Sequence, residues 1–312
     1  MPNVELTVLL ATRNGEQVLP RTLGGYRRLS APAVDWKIVV VDNGSTDATP
    51  AIIRSFAQDL PLQTLQQPAA GKNRALNTGL AAVEGRLLIL TDDDAIPSPS
   101  FLQEWVKYLD FPRHYDLFGG AIAPLFDVQP PRWMLVRRLQ FEMMFSERNL
   151  PEGPVDAGDL YGPNMAVRTS VLQRGFRFDE ELGPNALDPD YPMGDETEFC
   201  RRLASARVKC WFASGPLVHH IVRPGQLTAT AWAKRAYRVG RGRAHQMWKR
   251  GDILAPPTPS WIDWLAMVSP VARHRLTSLC ARRLAQGFRD ECVRRTEAPS
   301  VSSLSDAARG PS

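Results

Sequence analysis

An α/β fold, with a mostly parallel central sheet flanked by helices, is what the sequence predicts, and three observations predict it. Short runs rich in Val, Ile and Leu alternate with segments of helical periodicity from Val4 to Leu90. These runs are apolar on both faces, as strands between two helix layers must be. Three of them end in polar clusters, "ATRNGE", "DNGSTD" and "TDDDA", and ligands of such sheets gather beyond the carboxyl ends of the strands.

The elements follow in order. "VELTVLLA" (Val4–Ala11) reads as the first strand and a helix follows through Val18, Leu19 and Leu23. "WKIVVVDN" (Trp36–Asn43) is the second strand, with a helix over Ala48–Ala57 and a short strand at Leu62–Leu65. A helix over Lys72–Val83 leads into "RLLIL" (Arg86–Leu90), and Leu117–Ala123 is strand-like. Strand–helix alternation of this kind implies right-handed crossovers. "PLFDVQPPRWM" is proline-rich and reads as a mobile or substrate-shaping loop. "DLYGPNMAVR" (Asp159–Arg168) is strand-like, a helix begins near Asp195, and "VKCWFASGPLVHH" supplies a strand or two. A basic helix is expected from Thr228 to Arg250 and a second helical segment from Pro259 to Arg295. The small polar tail, 296–312, is expected to be disordered.

Asp92, Asp93 and Asp94 end the fourth strand in three adjacent carboxylates. One Asp there is ordinary turn or helix-cap chemistry. Three in a row, on the same sheet edge as two other polar turns, call for a cation, and hard oxygen donors select Mg²⁺ or Mn²⁺. Such an ion completes its shell with phosphate oxygens and water, so a metal–diphosphate site is expected.

Six elements in order, "VVVDNGSTDAT", "GKNRALNTGL", "EGRLLILTDDDA", "GPNMAVR", "GDETEFCRRL" and a late "HH", together resemble the family 2 glycosyltransferases of the GT-A fold, over Val4 to Gly242. The resemblance implies a nucleoside-diphosphate sugar donor, a UDP-sugar first among candidates, and a saccharide or lipid-linked acceptor. By position it makes Asp94 the metal ligand, with Asp92 beside it and His220 from "HIVRPGQLT" as a further ligand. It places the nucleotide against Ala11, Thr12, Arg13, Asp42 and Asn43, and the donor sugar near Asp92, Asp93, Gly162 and Asn164. Lys72 and Arg74 become partners of the diphosphate, although both equally suit the first turn of a helix.

Inverting transfer needs one carboxylate to take the acceptor's proton, while metal stabilises the leaving diphosphate. Family members commonly read G-E-D-T-E-L where this chain reads G-D-E-T-E-F, so by position Glu196 is the base and Asp195 its competitor. Acids in a first helical turn also complement the helix dipole. The Q-x-x-R-W signature of processive synthases is absent, "QMWKR" (Gln246–Arg250) not matching, so transfer of one sugar per encounter is expected. The rival readings are a sugar-phosphate nucleotidyltransferase, whose G-x-G-x-R-like loop is missing, and a catalytically silent binding protein.

Composition sets the outer bounds. The 312 residues are 44% hydrophobic and 23% charged, ordinary for a globular chain. The net charge of +5 is uneven, with 14 Lys/Arg against 4 Asp/Glu between Lys234 and Arg295. That stretch, with Trp232, Trp248, Trp261 and Trp264, suits peripheral contact with an anionic membrane or a solvated helix face; no nucleic-acid signature accompanies it. No run reaches the roughly 18 apolar residues of a membrane span, and the four cysteines lack paired spacing. The expected division is a GT-A domain at 1–226 (donor half 1–125, acceptor half 126–226) and a basic helical extension at 227–295. The expected setting is the cytoplasm, at the inner face of the membrane, in cell-envelope polysaccharide synthesis.

Overall fold

The computed structural model describes residues 4–135, 141–252 and 275–297. The elements are β1 (Leu6–Thr12), α1 (Leu19–Arg27), β2 (Trp36–Asp42), α2 (Thr49–Phe56), β3 (Leu62–Gln66), α3 (Lys72–Leu80), β4 (Leu87–Leu90), β5 (Ala95–Pro97) and α4 (Phe101–Val106). They continue with β6 (Tyr115–Phe126), α5 (Arg132–Leu135), α6 (Phe141–Phe145), β7 (Gly153–Val155), β8 (Met165–Arg168), α7 (Thr169–Leu172), α8 (Asp195–Ser205) and β9 (Lys209–Val222). Two long helices follow, α9 (Ala229–Lys249) and α10 (Arg275–Glu297). The chain divides into one unit of Met1–Pro189 with Asp195–Thr228, and a second of Asp190–Gly194 with Ala229–Ser312.

In the first unit the sheet order is β3-β2-β1-β4-β8-β6-β9-β5, with β7 also paired to β9. It is parallel from β3 to β4; β8 enters antiparallel to both β4 and β6. Side-chain alternation divides the core. Leu6, Val8, Leu10, Ile38, Val40, Leu87 and Ile89 pack on one face with Leu19, Leu23, Phe101 and Trp105 from α1 and α4. Leu9, Val39, Val41, Leu88 and Leu90 pack on the other with Ala75 and Leu76 of α3 and Phe199 and Leu203 of α8. Ile38 to Val41 are all 0% exposed, which is why these strands carry no polar face.

Two segments differ from their sequence expectation. Asp159–Arg168 is not one strand: 3-10 turns at Ala157–Asp159 and Gly162–Asn164 precede β8. Pro163, with no N–H and a fixed φ, cannot extend the ladder. Conversely, Pro124, Leu125 and Phe126 of the expected loop belong to β6, paired in parallel with His220, Ile221 and Val222. "VKCWFASGPLVHH" is one strand, β9, with a register shift where Gly120 and Ala121 of β6 face Ala213 and Leu217.

In the second unit, α9 and α10 lie side by side and parallel, since Arg241 pairs with Glu291 and His245 with Arg295. Their backbones touch: a Cβ on Gly240 would lie 2.0 Å from Leu284 O, and one on Gly287 2.0 Å from Tyr237 O. The basic side chains are not all solvated, for Arg241 is 2% exposed. Trp232 is buried and Trp248 exposed; Thr296 and Glu297 of the expected tail end α10, while Trp261, Trp264 and 298–312 lie outside the described residues.

Candidate active site

Parallel order in β3-β2-β1-β4 brings the carboxyl ends of β1, β2 and β4 to one edge, where Thr12, Asp42 and the Asp92–Asp94 run stand. The three aspartates then take three different partners. Thr12 Oγ1 donates to Asp93 Oδ2 at 2.6 Å and Thr22 Oγ1 to Asp93 O at 2.7 Å, so Asp93 turns inward. Burial, with the neighbouring Asp94 charge, pushes Asp93 up to about 7.

Asp94 points to β9. The antiparallel β5–β9 pair sets Ala95 opposite His220, and Ile221 N donates to Asp94 O at 2.8 Å. Asp94 Oδ1 lies 3.3 Å from His220 Nε2, while His220 Nδ1 lies 2.8 Å from Phe145 O. With Nδ1 carrying the proton given to that carbonyl, Nε2 faces Asp94. Burial opposes charge on both, but each outweighs it for the other, holding Asp94 below and His220 above the usual value. Arg223, which sequence reasoning passed over, adds its positive charge to the pull on Asp94.

Asp92 and Glu196 converge on Lys72. Lys72 Nζ is 2.6 Å from Asp92 Oδ1 and 2.7 Å from Glu196 Oε1. Burial disfavours all three charges, yet Lys72 holds Glu196 down at about 2. Lys72 therefore meets carboxylates where a diphosphate partner was expected. Arg74, two positions along α3, points elsewhere and pairs with Glu180 at 3.3 Å, because positions i and i+2 do not share a helix face.

Gly162 passes directly beneath the acid of α8: a Cβ there would lie 2.3 Å from Glu196 Oε1. That missing methyl makes room for a side chain one methylene longer than Asp. Asn164, expected against a sugar hydroxyl, is 0% exposed and gives its amide to Ala121 O and Pro216 O at 2.8 and 2.9 Å, tying β6 to β9. Asn43 likewise donates to Gln67 O and Ala69 O and accepts from Gly71 N, leaving its amide engaged by backbone. Arg13 donates to Asn43 O at 2.5 Å, Asp42 Oδ1 accepts from Ser45 N at 2.9 Å, and Ala11 is half-buried on β1 beside Thr12. The missed contributors are Thr22, Phe145, Gly183, Pro184 and Arg223. Pro184 O accepts from Lys72 N at 2.8 Å; only Gly183, before a proline, carried a local signal.

The donor set suits a hard-to-borderline divalent ion. Asp94 offers carboxylate oxygen and His220 an imidazole nitrogen whose other nitrogen is already fixed by a carbonyl, while Asp92 is close enough for its charge to act on both but gives its Oδ1 to Lys72.

Comparison with known proteins bears on the fold and the family. Among curated relatives, glycosyltransferase AglE of Haloferax volcanii is 26% identical over 250 residues, covering 78% of this chain and 74% of its own. Among solved structures, a mannosyltransferase from Pyrobaculum calidifontis in complex with GDP-Man and Mn²⁺ superposes with a TM-score of 0.58 at 18% identity, covering 98% of this chain and 79% of that one. TarS 1–349 of Staphylococcus aureus in complex with UDP-GlcNAc gives 0.54 at 15% identity, covering 96% and 93%. Both share the GT-A fold. The model for glycosyl transferase family 2 matches residues 7–176, more than half of the chain, and the protein belongs to that family.

Proposed function

We propose that this glycosyltransferase moves a single sugar, with inversion, from a nucleoside-diphosphate sugar to an acceptor hydroxyl. The observation that carries the reading is the convergence on one sheet edge of an Asp94–His220 pair and a Glu196–Lys72–Asp92 chain, with Glu196 ionised. Asp94 and His220 would hold the divalent ion, with Asp92 beside them. When bound, that ion supplies positive charge to the leaving diphosphate. The imidazole favours Mn²⁺ over Mg²⁺, which prefers oxygen and water. GDP-Man with Mn²⁺ and UDP-GlcNAc, named for two proteins of the same fold, support a nucleotide-sugar donor here, with a UDP-sugar tried first.

Glu196 takes the proton of the acceptor hydroxyl as that oxygen bonds to the anomeric carbon. The bond from that carbon to the diphosphate breaks on the opposite face, its electron pair leaving with the nucleoside diphosphate, and a single displacement inverts the centre. Only one carboxyl need act, unlike glycoside hydrolysis. The Lys72 contact keeps Glu196 charged and makes it a weaker base than a free carboxylate.

The test is a panel of nucleotide sugars with Mn²⁺, saccharide and lipid-linked acceptors, and release of nucleoside diphosphate as readout. Glu196→Gln should lower kcat by ~10²–10⁴ while leaving Mn²⁺-dependent nucleotide binding intact. Full transfer by that variant overturns the assignment of the base. Among the described residues no helix is long and apolar enough to cross a membrane. Peripheral contact through the basic helices α9 and α10 is proposed, and flotation of the full chain with anionic but not neutral vesicles would support it.

A further inference from the structure

A second carboxyl stands beside Glu196 without a cation of its own. Asp195 opens α8, is 4% exposed, and its Oδ2 has no hydrogen-bond partner. Gly183, at φ +84°, comes so close that a Cβ there would lie 2.6 Å from that oxygen, so protein backbone, not water, covers it. Lys72 gives its short contacts to Asp92 and Glu196, and among the described residues no Lys, Arg or His forms an ion pair with Asp195.

A carboxylate so placed would be a buried anion with an unsatisfied oxygen, whereas a carboxylic acid needs only one acceptor. Glu196, its neighbour in the first turn of α8 and the carboxylate whose charge acts on it most, is the acceptor assigned to it, and two carboxyls share a hydrogen bond only when one of them holds the proton. Lys72 decides which. Its ammonium fixes the charge on Glu196, leaving the proton to Asp195. The dipole of α8 favours charge on both neighbours and does not choose between them.

We propose that Asp195 is a neutral carboxylic acid that donates a hydrogen bond to Glu196, positioning the base carboxylate and taking no proton from the acceptor. The proposal rests on the reading of Glu196 as base. Burial, reinforced by the Glu196 charge and opposed by Lys72, raises Asp195 well above the usual carboxylate range, which agrees with the geometry. Those two residues, one on α8 and one on α3, are the charged groups that act on it most.

Isotope-edited infrared spectroscopy of the full chain at neutral pH tests the proton directly. The protonated-carboxyl absorption of the parent should lose one component in Asp195→Asn, the part due to Asp93 remaining, and keep that component in Glu196→Gln. With the donor and acceptor that the panel identifies, Asp195→Asn, isosteric and neutral, should keep kcat within about tenfold of the parent, against ~10²–10⁴ lost in Glu196→Gln. Asp195→Ala, which lacks the donor, should move the acid limb of the kcat–pH profile upward; Asp195→Asn should not. No band removed by Asp195→Asn overturns the proposal, as does loss of transfer in Asp195→Asn equal to that in Glu196→Gln. Transfer surviving in Glu196→Gln overturns the base reading, and the infrared band separates that failure from one of Asp195's protonation.

Discussion

Glu196 Oε1 sits 2.7 Å from Lys72 Nζ, joining α8 to the start of α3 across 124 positions of sequence. The same ammonium holds Asp92, so one lysine ties the proposed base to the aspartate run.

Lys72→Met leaves Asp92 and Glu196 without their common cation. Both side chains are about one-fifth exposed, which sets the loss at the lower end of the range for breaking a buried pair, roughly 3 kcal/mol. Glu196 has a depressed folded value, about 2, so its contribution is present above the ordinary carboxylate value and is lost as pH falls through about 2. In the variant that window moves upward. Urea unfolding at neutral pH and an acid titration followed by circular dichroism measure both effects; identical curves for variant and parent would contradict the pairing.

Gly162→Ala puts a methyl 2.3 Å from where Glu196 Oε1 now lies, and the carboxylate must move. Misplacing a reacting group by about 1 Å costs on the order of 10²-fold in rate. Steady-state kinetics should show that loss in kcat with donor KM little changed.

His220→Gln removes the imidazole facing Asp94. Losing the proposed ligand should weaken Mn²⁺ binding at least as much as the roughly 10–100-fold seen for outer-shell partners. His220 is raised by Asp94, and only its neutral form binds metal. Affinity in the parent therefore rises with pH through that raised value, whereas the Gln variant lacks that dependence. Calorimetric titration of Mn²⁺ at several pH values distinguishes the two.

Asp93→Asn should flatten the pH dependence of stability. The folded value is about 7 against an ordinary 3.8, so the native state keeps a proton that the unfolded chain releases between them. Stability from this group is complete below 3.8 and declines as pH rises through about 7. Urea unfolding of metal-free protein should show a slope of up to about 1.4 kcal/mol per pH unit in the parent that the Asn variant loses.

Glu291→Ala in the second unit strips the 0% exposed carboxylate from between Arg241 and Arg295. One-sided removal should cost roughly 3–5 kcal/mol, and Arg241→Met combined with Glu291→Met should recover much of it. Denaturant midpoints of the two variants decide this.

Asp94 and Glu196 show how much of the placement of the candidate residues was legible. Each lies in a contiguous motif at a strand or helix end, and such positions are set by local pattern. Asn43, Asn164 and Arg74 were legible as residues and not as roles. A buried amide goes to whichever backbone carbonyls the sheet leaves open, and an arginine on α3 faces whatever its helical angle dictates.

The sequence by itself determined the strand and helix alternation, the polar strand ends and the family, because these depend on periodicity and turn chemistry within a few residues. Only the tertiary structure decided which charge meets which: Lys72 with Asp92 and Glu196, Asp94 with His220, and Asp195 with no ion-pair partner among the described residues. Coulomb energy and burial depend on separation in space, and β9 and α8 come to that edge only when the sheet closes around β8.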